Sequence, residues 1–554
     1  MNKKQTGIIS LLLWITGMLY AQDNSLKLRY DTPTSINAPV KEIYPYVYLY
    51  QNLPFDMPQV KHPAFPDHSV NLKDFGGIPD GIHLNSAAFE KAFDALAAQG
   101  GGTLVVPAGI WFTGPLVFRS NVNLHLEKGA LILFSSDFDL YPLVSTVYEG
   151  QNTKRCQSPI SGYQLENIAI TGEGAINGSG EAWRPLKRAK ISEPQWNQVV
   201  KSGGVLKDPN YWFPSEKSLL GENRNANTPQ KDFTDADWLS FKDYLRPVMV
   251  NFIECKNVWL EGVIFENSPS WNIHPLMCEN VIIDHITVRN PAYAQNGDGL
   301  DLESCVNAII VNSTFDVGDD GICIKSGKDE EGRKRGRPTV NVIVDNCTVF
   351  QGHGGFVIGS EMSGGVRNIS VSNCQFLGTD VGLRFKAGRG RGGVVEDIYI
   401  NHIYMFNIAT EPVLFDLYYG GKPGDSKLTP PLDETTPVFR NIFVKNLSAR
   451  KVRRAMFFNG LPEMNISNIR VEDVIISSVT GAEISESEDL FFKNIKILPE
   501  KGPVFILNNV QNMTVENPEY PETQREVVSI SGNKTKNIRI PGYQGNKELS
   551  KKTN

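Results

Sequence analysis

The feature that most constrains the fold of this chain is a six-residue phrase that recurs along most of it. The copies share an Asn or Asp at the third position and aliphatic residues after it: LENIAI, CKNVWL, CENVII, CVNAII, TVNVIV, VRNISV, VEDIYI, FRNIFV, ISNIRV, VQNMTV and TKNIRI. Their third residues are Asn167, Asn257, Asn280, Asn307, Asn341, Asn368, Asp397, Asn441, Asn468, Asn512 and Asn537. The shorter intervals lie in the twenties, a spacing typical of solenoids, in which each repeat contacts its neighbours.

The residues around these markers indicate strands rather than helices. Each repeat is rich in Val and Ile with period-two alternation and is bounded by Asn and Gly, as in short β-strands. Strands at this spacing predict an all-β fold built from the coils of a parallel β-helix. A second set of asparagines, each five residues after a marker, predicts amides that bond to one another on successive coils. These are Asn312, Asn346, Asn373 and Asn446.

The segment before the coils predicts a short helical cap. In SAAFEKAFDALAAQGGG, Phe89, Phe93 and Leu96 lie on one helical face, and the pattern ends at Gly100 to Gly102. Because the open end of a solenoid must be covered, we expect this helix to cap the β-helix at its N-terminal end.

The first residues have the pattern of a secretory signal. Lys3 and Lys4 precede an apolar stretch and a small residue at Ala21. We therefore expect an exported protein, periplasmic or extracellular. The predicted organisation is a signal peptide at 1–21, an N-terminal extension at 22–66, and a β-helix at 67–545 with an aromatic-rich insertion at about 184–245.

Composition narrows the possible partners. The formal net charge of −6 disfavours a nucleic acid, and no later apolar run is long enough to span a bilayer. The seven cysteines are an odd number without a pairing pattern, so we expect mostly buried free thiols. No cofactor and no metal is predicted, and the protein is expected to be a monomer.

Aligning neighbouring coils predicts which side chains stack. The segments NGDGLDLES, VGDDGICIKS, GHGGFVIGS and TDVGLRFKA align so that two apolar columns face inward. These are Leu300, Ile322, Phe356 and Leu383, and then Leu302, Ile324, Ile358 and Phe385. The alternate positions face outward: Asp301, Cys323, Val357 and Arg384, and then Glu303, Lys325, Gly359 and Lys386.

Chemistry-bearing residues gather at the start of these strands. In this register Asp298 stacks on Asp320, and Asp319 lies level with His353, one coil or about 4.8 Å away. The expected patch comprises Asp298, Asp319, Asp320, His353, Arg384 and Lys386. Hydrolysis of a glycosidic bond needs a carboxylic acid for the leaving oxygen and a carboxylate that activates water. Crowding raises the proton affinity of one carboxylate, so a single patch can supply both.

The motifs NGDGLD, GDDG, GHGG and RFK, with ENSPSWNIHP, GSEMSGG and VNLKDFGGIPDG, resemble glycoside hydrolase family 28, the polygalacturonases and their relatives. The resemblance runs from about Val70 to about Asp397 and continues more weakly beyond. It implies a right-handed parallel β-helix and an inverting hydrolase without a metal. Two positions depart from the family pattern, Gly297 in place of Thr and Gly321 in place of Cys, and neither touches the expected chemistry.

The resemblance also implies roles for individual residues. Asp319 would be the general acid, Asp298 and Asp320 would hold and activate the water, and His353 would tune the proton of the acid. The remaining candidates are substrate-binding residues, with Arg384 and Lys386 expected on the uronate carboxylate next to the leaving oxygen: Asn296, His274, Lys325, Arg384 and Lys386. Inverting enzymes keep acid and base roughly 6.5 to 9.5 Å apart, and a one-coil offset is compatible with that.

Two further features bear on the substrate. Basic residues crowd the catalytic coils and predict a local groove for a uronate polymer: Lys325, Lys328, Arg333, Lys334, Arg335, Arg337, Arg367, Arg384, Lys386, Arg389 and Arg391. An exposed charged loop would explain GKDEEGRKRGRP equally well. The insertion carries aromatics expected to form a sugar-stacking wall that closes the groove: Trp196, Tyr211, Trp212, Phe213, Trp238 and Tyr244.

A closed groove favours exo-action on pectic α-1,4-galacturonan or oligogalacturonides, with release of single galacturonic acid units from the non-reducing end. Endo-polygalacturonase action remains open, as does hydrolysis of rhamnogalacturonan or xylogalacturonan. A calcium-dependent pectate lyase is a rival, because Asp298, Glu303, Asp319 and Asp320 could ligate a hard cation. A non-catalytic binding or adhesive solenoid is a second rival, which would leave the filled catalytic columns unexplained.

Overall fold

The computed structural model of the protein describes residues 44–228, 232–424, 429–524 and 526–541. The predicted signal peptide at 1–21 lies outside the described residues. The chain divides into a unit of residues 1–48 and a unit of residues 49–554. Among the described residues, no helix is both long and apolar enough to cross a membrane.

The second unit consists mainly of short parallel strands. In chain order, β1 to β36 span Ser69–Asn71, Gly102–Val106, Gly109–Thr113, Leu116–Val117, Val122–Leu126, Ala130–Phe134, Leu143–Tyr148, Gln151–Cys156, Ile160–Tyr163, Glu166–Gly172, Ala175–Asn177, Leu186–Lys187, Val205–Asp208, Tyr211–Phe213, Val250–Ile253, Lys256–Glu261, Ile264–Glu266, Ile273–Leu276, Glu279–Asp284, Thr287–Arg289, Leu300–Glu303, Val306–Val311, Thr314–Val317, Asp320–Lys325, Thr339–Asp345, Thr348–Gln351, Gly354–Gly359, Val366–Leu377, Val381–Lys386, Val394–Ile408, Val413–Asp416, Val438–Arg454, Phe457–Asn459, Ile466–Glu516, Val528–Ser531 and Lys536–Arg539. The helices α1 to α5 span Ser86–Ala98, Glu193–Lys201, Glu216–Asn223, Asp235–Ser240 and Asp329–Arg335.

Three parallel ladders run along the molecule, and each coil contributes one strand to each. The first ladder contains β9, β15, β18, β21, β24, β27, β29, β31 and β33. The second contains β5, β10, β16, β19, β22 and β25, and the third contains β6, β11, β17, β20, β23 and β26. Beyond β27 the second and third strands of a coil merge into long strands such as β28 and β30. The predicted parallel β-helix is therefore confirmed.

The core lies between the ladders and follows the period-two alternation. The predicted inward columns are in register, with Ile322 on Leu300 and Phe356 on Ile322, and all their members are fully buried. A buried Leu or Phe stabilises the fold by about 1.5 to 3 kcal/mol, so a one-residue slip of register is strongly disfavoured. All seven cysteines are free and buried, as expected.

The predicted cap is helix α1. Phe89, Phe93 and Leu96 are buried, and the ring of Phe93 packs 5.2 Å from that of Phe118. Phe118 in turn packs 5.3 Å from Phe252 inside the solenoid. The helix therefore continues the apolar core at the N-terminal end of the coils.

The first asparagine ladder is present, and the second is present only in part. Asn341 Nδ2 donates to Asn307 Oδ1 over 3.0 Å and Asn341 Oδ1 accepts from Asn368 Nδ2 over 3.0 Å. In the second ladder, Asn346 donates to Asn312 over 2.8 Å. Asn373 donates to Asp345, and Asn446 donates to Asn401, rather than to another predicted member of the second ladder. The marker residues have positive φ, near +50° to +60°, a conformation that Asn tolerates better than most residues. Asparagine at these corners therefore satisfies both the backbone and its neighbours.

Candidate active site

The site is built on the first ladder. The register places Cys323 beside Asp301 and Lys325 beside Glu303. The next two coils place Arg384 beside Val357, and Lys386 beside Gly359. The predicted outward columns are therefore confirmed, and the loops that enter β21, β24 and β27 meet on one side of the ladder.

Three carboxylates converge there, as the alignment predicted. Asp298, Asp319 and Asp320 each offer an oxygen, and the three oxygens lie within 4.8 Å of one another. Asp298 and Asp320 are buried, and the Asp319 side chain is 22% exposed. The nearest oxygens are closer than the expected 6.5 to 9.5 Å, because Asp319 and Asp320 share one turn and Asp298 lies one coil before them.

Asp320 is held as a carboxylate by two cations. Lys386 Nζ lies 2.7 Å from its Oδ2 and Arg384 Nη1 lies 3.1 Å from its Oδ1. Burial alone would raise the pKa of Asp320, but the charges of Lys386 and Arg384 outweigh it and lower the pKa to about 2. Asp320 is therefore negatively charged across the ordinary pH range.

Asp298 is in the opposite electrostatic situation. Burial raises its pKa well above the ordinary value, and the nearby carboxylates of Asp301 and Asp319 raise it further. Its Oδ1 is buried without a hydrogen-bond partner among the described residues. The site therefore holds an ionised Asp320 beside an Asp298 that binds a proton more readily, a difference in pKa that acid and base roles require.

His353 contacts the third carboxylate. Its Nδ1 lies 3.0 Å from Asp319 Oδ1, and its backbone N–H donates to the carbonyl oxygen of Asp319 over 2.9 Å. The hydrogen bond to Asp319 raises the pKa of His353, with burial opposing it. The predicted pairing of these residues across one coil is present, so a proton on His353 responds directly to the charge on Asp319.

The carboxylates line a cavity of about 240 Å³. Its wall comprises Glu149, Trp271, Asn296, Asp298, Asp319, Asp320, Lys325, Lys328, Ser360, Glu361, Lys386, Arg391 and Tyr419. A cavity below the roughly 300 to 1,000 Å³ of sites for larger ligands suits one sugar ring. A second cavity of about 360 Å³ adjoins it and shares Asn296 and Asp319. Arg246 orients Asn296, since its Nη2 donates to Asn296 Oδ1 over 2.8 Å.

Lys325 lies in the cavity wall but is held by protein groups. Its Nζ lies 2.9 Å from Glu361 Oε2, 3.4 Å from Asp301 Oδ1, and 4.5 Å from the centre of the Trp271 ring. The sequence analysis did not single out Glu361, which Ser360 also contacts through a 2.9 Å hydrogen bond. Lys325, Glu361 and Asp301 therefore form a buried charged group beneath the cavity. Contact of Lys325 with substrate stays a prediction.

The prediction that His274 binds substrate is wrong for a direct contact. The His274 side chain is fully buried, and its Nε2 lies 3.0 Å from Glu303 Oε2. Trp271 packs over it with ring centres 5.2 Å apart, and Tyr148 stacks on Trp271 at 5.0 Å. Trp271, which lines the cavity, therefore covers this imidazole, and His274 is not part of the cavity wall.

Tyr148 belongs to a β-hairpin that the sequence analysis missed. Strands β7 and β8 pair antiparallel and are joined by Glu149 and Gly150, both with positive φ, as in a two-residue hairpin turn. The hairpin follows β6, a strand of the third ladder, in the sequence. Its tip contacts the loop that follows β24. Gly150 O accepts from the backbone N–H of Lys328 over 3.2 Å. The hairpin therefore crosses the first ladder next to the carboxylates.

The insertion at 184–245 does not form the predicted aromatic wall. Most of its aromatics pack inside it, in two small clusters of its own. The buried residues are Trp196, Trp212, Phe213, Trp238 and Tyr244. Tyr211 is half-buried and donates to Gln295 Oε1 over 3.3 Å. The insertion contributes Lys187 and Lys190 to the second cavity instead, so it borders the site with charge rather than with rings.

The predicted basic groove is also largely neutralised. The segment GKDEEGRKRGRP contains helix α5, whose first turn is acidic and whose last turn is basic. Arg335 pairs with Glu303 at 2.9 Å, Arg337 with Glu254 at 3.7 Å, and Arg389 with Glu463 at 2.5 Å. Of the predicted basic residues, Lys325, Lys328, Lys386 and Arg391 line the cavity of the carboxylates. The uronate-binding cations are therefore fewer than the sequence suggested.

The carboxylate cluster could hold a metal by geometry alone. Ca²⁺ takes six to eight oxygen ligands, yet Lys386 and Arg384 already occupy both oxygens of Asp320. Glu303, the fourth ligand of the rival hypothesis, is bound to His274 and Arg335. The donor set therefore fits protein cations better than a calcium ion.

A parallel β-helix with an acid and a base in one cleft is the architecture of a polysaccharide-degrading enzyme, and comparison with known proteins agrees. The family model "Glycosyl hydrolases family 28" matches residues 239–490. An exopolygalacturonase from Thermotoga maritima is 33% identical and superposes with a TM-score of 0.67 over 79% of this chain and 94% of that one. The chain belongs to glycosyl hydrolases family 28 and is a glycoside hydrolase.

Curated relatives are consistent with this assignment. The chain is 29% identical to a probable polygalacturonase from Vitis vinifera over 426 residues, 75% of this chain and 76% of that protein. It is 27% identical to an exo-poly-alpha-D-galacturonosidase from Dickeya chrysanthemi over 468 residues, 81% of this chain and 74% of that protein.

Proposed function

We propose that this protein hydrolyses the α-1,4 bonds of polygalacturonan or oligogalacturonides from the non-reducing end and releases galacturonic acid. The observation that carries the proposal is the carboxylate cluster in a cavity of one-sugar size, closed on one side by the hairpin. The names of its relatives, polygalacturonases and exo-poly-alpha-D-galacturonosidase, support the substrate.

The catalytic roles are those that the family resemblance implies, and the convergence of the three carboxylates supports them. Asp319 donates a proton to the leaving oxygen, and water held by Asp298 and Asp320 attacks the anomeric carbon from the other face. The attacking water releases a proton to Asp298, whose burial favours the protonated form. Transfer within the cluster, over less than 4.8 Å, then returns the proton to Asp319. His353 supports this return, because it is bonded to Asp319.

The substrate carboxylate on the leaving side is bound by Lys386 and Arg384. Both cations already contact Asp320, so the uronate shares them with that carboxylate. Tyr419 stands over both, with its ring centre 5.1 Å from Lys386 Nζ and 5.9 Å from Arg384 Cζ. A planar side chain there can pack on the second sugar.

The position of the hairpin on the first ladder supports exo-action. Thr146 accepts from Asn251 of β15 over 3.3 Å, and Tyr148 stacks on Trp271 just before β18. The hairpin therefore covers the coils on the N-terminal side of Asp298, whereas Lys386 and Tyr419 lie on the C-terminal side. A chain that enters past Tyr419 can place only its terminal sugar beyond the catalytic acid.

We further propose that the protein is exported by residues 1–21, to the periplasm or outside the cell, where it acts on cell-wall pectin as a monomer. The signal-like start of the sequence supports export. Fractionation of the native host and size-exclusion chromatography of the purified protein test these two points.

Incubation of the purified protein with polygalacturonate tests the activity. We expect reducing ends to appear without an ultraviolet-absorbing unsaturated product, and the rate to survive a chelator. Proton NMR of the first product should show the β-anomer, because inversion converts the α-linkage. An unsaturated product would identify a lyase, and an α-anomer would identify a retaining mechanism.

A further inference from the structure

The tip of the hairpin places a carboxylate at the closed end of the catalytic cavity. Glu149 lines the same cavity as Asp298 and Asp320, and its side chain is 26% exposed. Lys328 Nζ lies 3.7 Å from its Oε2, which is beyond hydrogen-bond distance. Among the described residues, no group donates a hydrogen bond to the Glu149 carboxylate, and its ion pair with Lys328 is the contact that it makes. The carboxylate can therefore accept a hydrogen bond from a ligand.

The position of Glu149 is fixed by the anchored tip. A Cβ on Gly150 would lie 2.6 Å from the backbone nitrogen of Lys328, so the tip packs against this loop as closely as glycine allows. Glu331 Oε2 accepts from the backbone N–H of Asn152 over 2.6 Å, and Arg335 Nη2 donates to Gly150 O over 3.3 Å. A group held this way can discriminate between ligands, because it does not move away.

The chemistry of a chain end supplies a matching donor. In a 1,4-linked polymer, the terminal non-reducing sugar alone carries a free hydroxyl at C4, since every inner sugar uses that oxygen in a bond. C4 lies across the ring from C1, so a sugar with C1 at the catalytic water points C4 away from the bond to be cut. In this cavity that direction leads to the hairpin.

We propose that Glu149 is a specificity-determining residue that accepts a hydrogen bond from the free C4 hydroxyl of the terminal galacturonate. The inference rests on the proposed exo-hydrolysis. An inner sugar offers no C4 hydroxyl and would also collide with the hairpin, so shape and hydrogen bonding select the same chain end. Chain ends that lack this hydroxyl, such as the 4,5-unsaturated ends that lyases create, are poor substrates.

The test compares digalacturonate with its analogue that lacks the C4 hydroxyl on the non-reducing unit. The wild-type kcat/KM should be about 10- to 100-fold lower for the 4-deoxy compound, which is the usual range for one hydrogen bond to a charged group. Glu149→Ala should lose a similar factor on digalacturonate and nothing further on the analogue. Glu149→Gln keeps an uncharged acceptor and should fall between them.

Glu254 offers a matched control outside the cleft. Its side chain is also 26% exposed, it also has a positive φ, and its ion pair with Arg337 is also 3.7 Å long. Glu254→Ala should keep the wild-type preference for the hydroxyl. Thermal unfolding of each variant shows whether the fold is retained, and Glu149→Gln stands in if Glu149→Ala unfolds.

The outcomes separate the inference from the proposed function. If the wild type releases galacturonic acid from digalacturonate but accepts the 4-deoxy analogue equally well, the role of Glu149 is wrong and exo-hydrolysis stands. Equal losses on both substrates in Glu149→Ala would likewise overturn it and indicate a structural residue. A wild type that cleaves neither substrate would overturn both proposals.

Discussion

Two corners of the coils stack side chains at the same spacing between coils, but one corner stacks neutral amides and the other stacks charged groups. Where the first ladder passes into the second, neutral amides such as Asn307, Asn341 and Asn368 bond to one another. Where the third ladder passes into the first, the stacked residues are Asp298, Asp320 and their charged neighbours. Repetition of a neutral group stabilises the solenoid, whereas stacking of like charges costs stability and produces an acid and a base.

The comparison predicts that the charged corner controls turnover. Asp319→Asn and Asp320→Asn should each lower kcat by about 10²- to 10⁴-fold, because proton donation or water activation is lost. Circular dichroism should show that the fold is retained. Asp316→Asn, on an outward position of β23 shortly before them, is the control and should keep nearly full activity. A folded Asp319→Asn enzyme with most of its activity would refute the role of the acid.

Removal of the Lys386 charge tests whether the two cations lower the pKa of Asp320. Asp320 has a pKa of about 2 because Lys386 and Arg384 outweigh its burial, so its ionised form stabilises the fold above pH ~4 and this stability is lost as the pH falls toward 2. Lys386→Met should move the acid limb of the kcat/KM profile upward by up to about 2 pH units, toward the ordinary pKa of about 3.9.

Measurement of kcat/KM from pH 2.5 to 7 tests this shift. Lys445→Met is the control, since Lys445 is a half-exposed partner of Glu472 and Asp473 far along the chain. An acid limb that stays in place in Lys386→Met would show that Asp320 does not set it.

The contact between His353 and Asp319 predicts the basic limb. The hydrogen bond to Asp319 raises the pKa of His353, so the stabilising contact is complete below pH ~6.5 and is lost as the pH rises through the higher folded-state pKa. Wild-type activity should therefore decline only above pH ~6.5. His353→Gln should lose this limb and about tenfold in kcat, the equivalent of one pKa unit of the acid. An unchanged profile would rule out the histidine as the titrating group.

The neutral corner should show the smallest effect on turnover and a measurable one on stability. Asn341→Gly removes two amide hydrogen bonds and should lower the free energy of unfolding by about 1 to 3 kcal/mol. Asn341→Ala should lose about 1 kcal/mol more, since alanine tolerates the φ of +61° less well. Urea unfolding measures both. Loss of kcat without loss of stability would contradict the division between the corners.

The coils could be predicted from the sequence because their pattern of apolar residues repeats from one coil to the next. Once Leu300, Ile322 and Phe356 are aligned, the pleat fixes every neighbouring side chain, and the positions of Asp298, Asp319 and His353 follow from counting residues. The cap helix was predictable for the same reason, since its apolar face has helical spacing.

The parts outside the period could not be predicted in the same way. The partners of Arg335 and Arg337 are Glu303 and Glu254, residues that no spacing rule connects to them. Aromatic content alone did not tell whether Trp196 and Trp212 line the cleft or fill a separate small core. His274 was misplaced because its spacing does not show that Trp271 covers it and that Tyr148, from a hairpin more than a hundred residues earlier, stacks on Trp271. The available sequence signal was the Glu149–Gly150 pair between the alternating runs LVSTVY and QNTKRC.

The size of the earliest products tests the central claim most directly. Chromatography of the products from long polygalacturonate, sampled while under about one bond in a hundred is cut, separates monomer from oligomers. If the hairpin closes the cleft next to the three carboxylates, galacturonic acid is the dominant product and viscosity falls only in step with bond cleavage. Early release of mixed oligogalacturonides with a rapid fall in viscosity would show an open cleft and contradict the account.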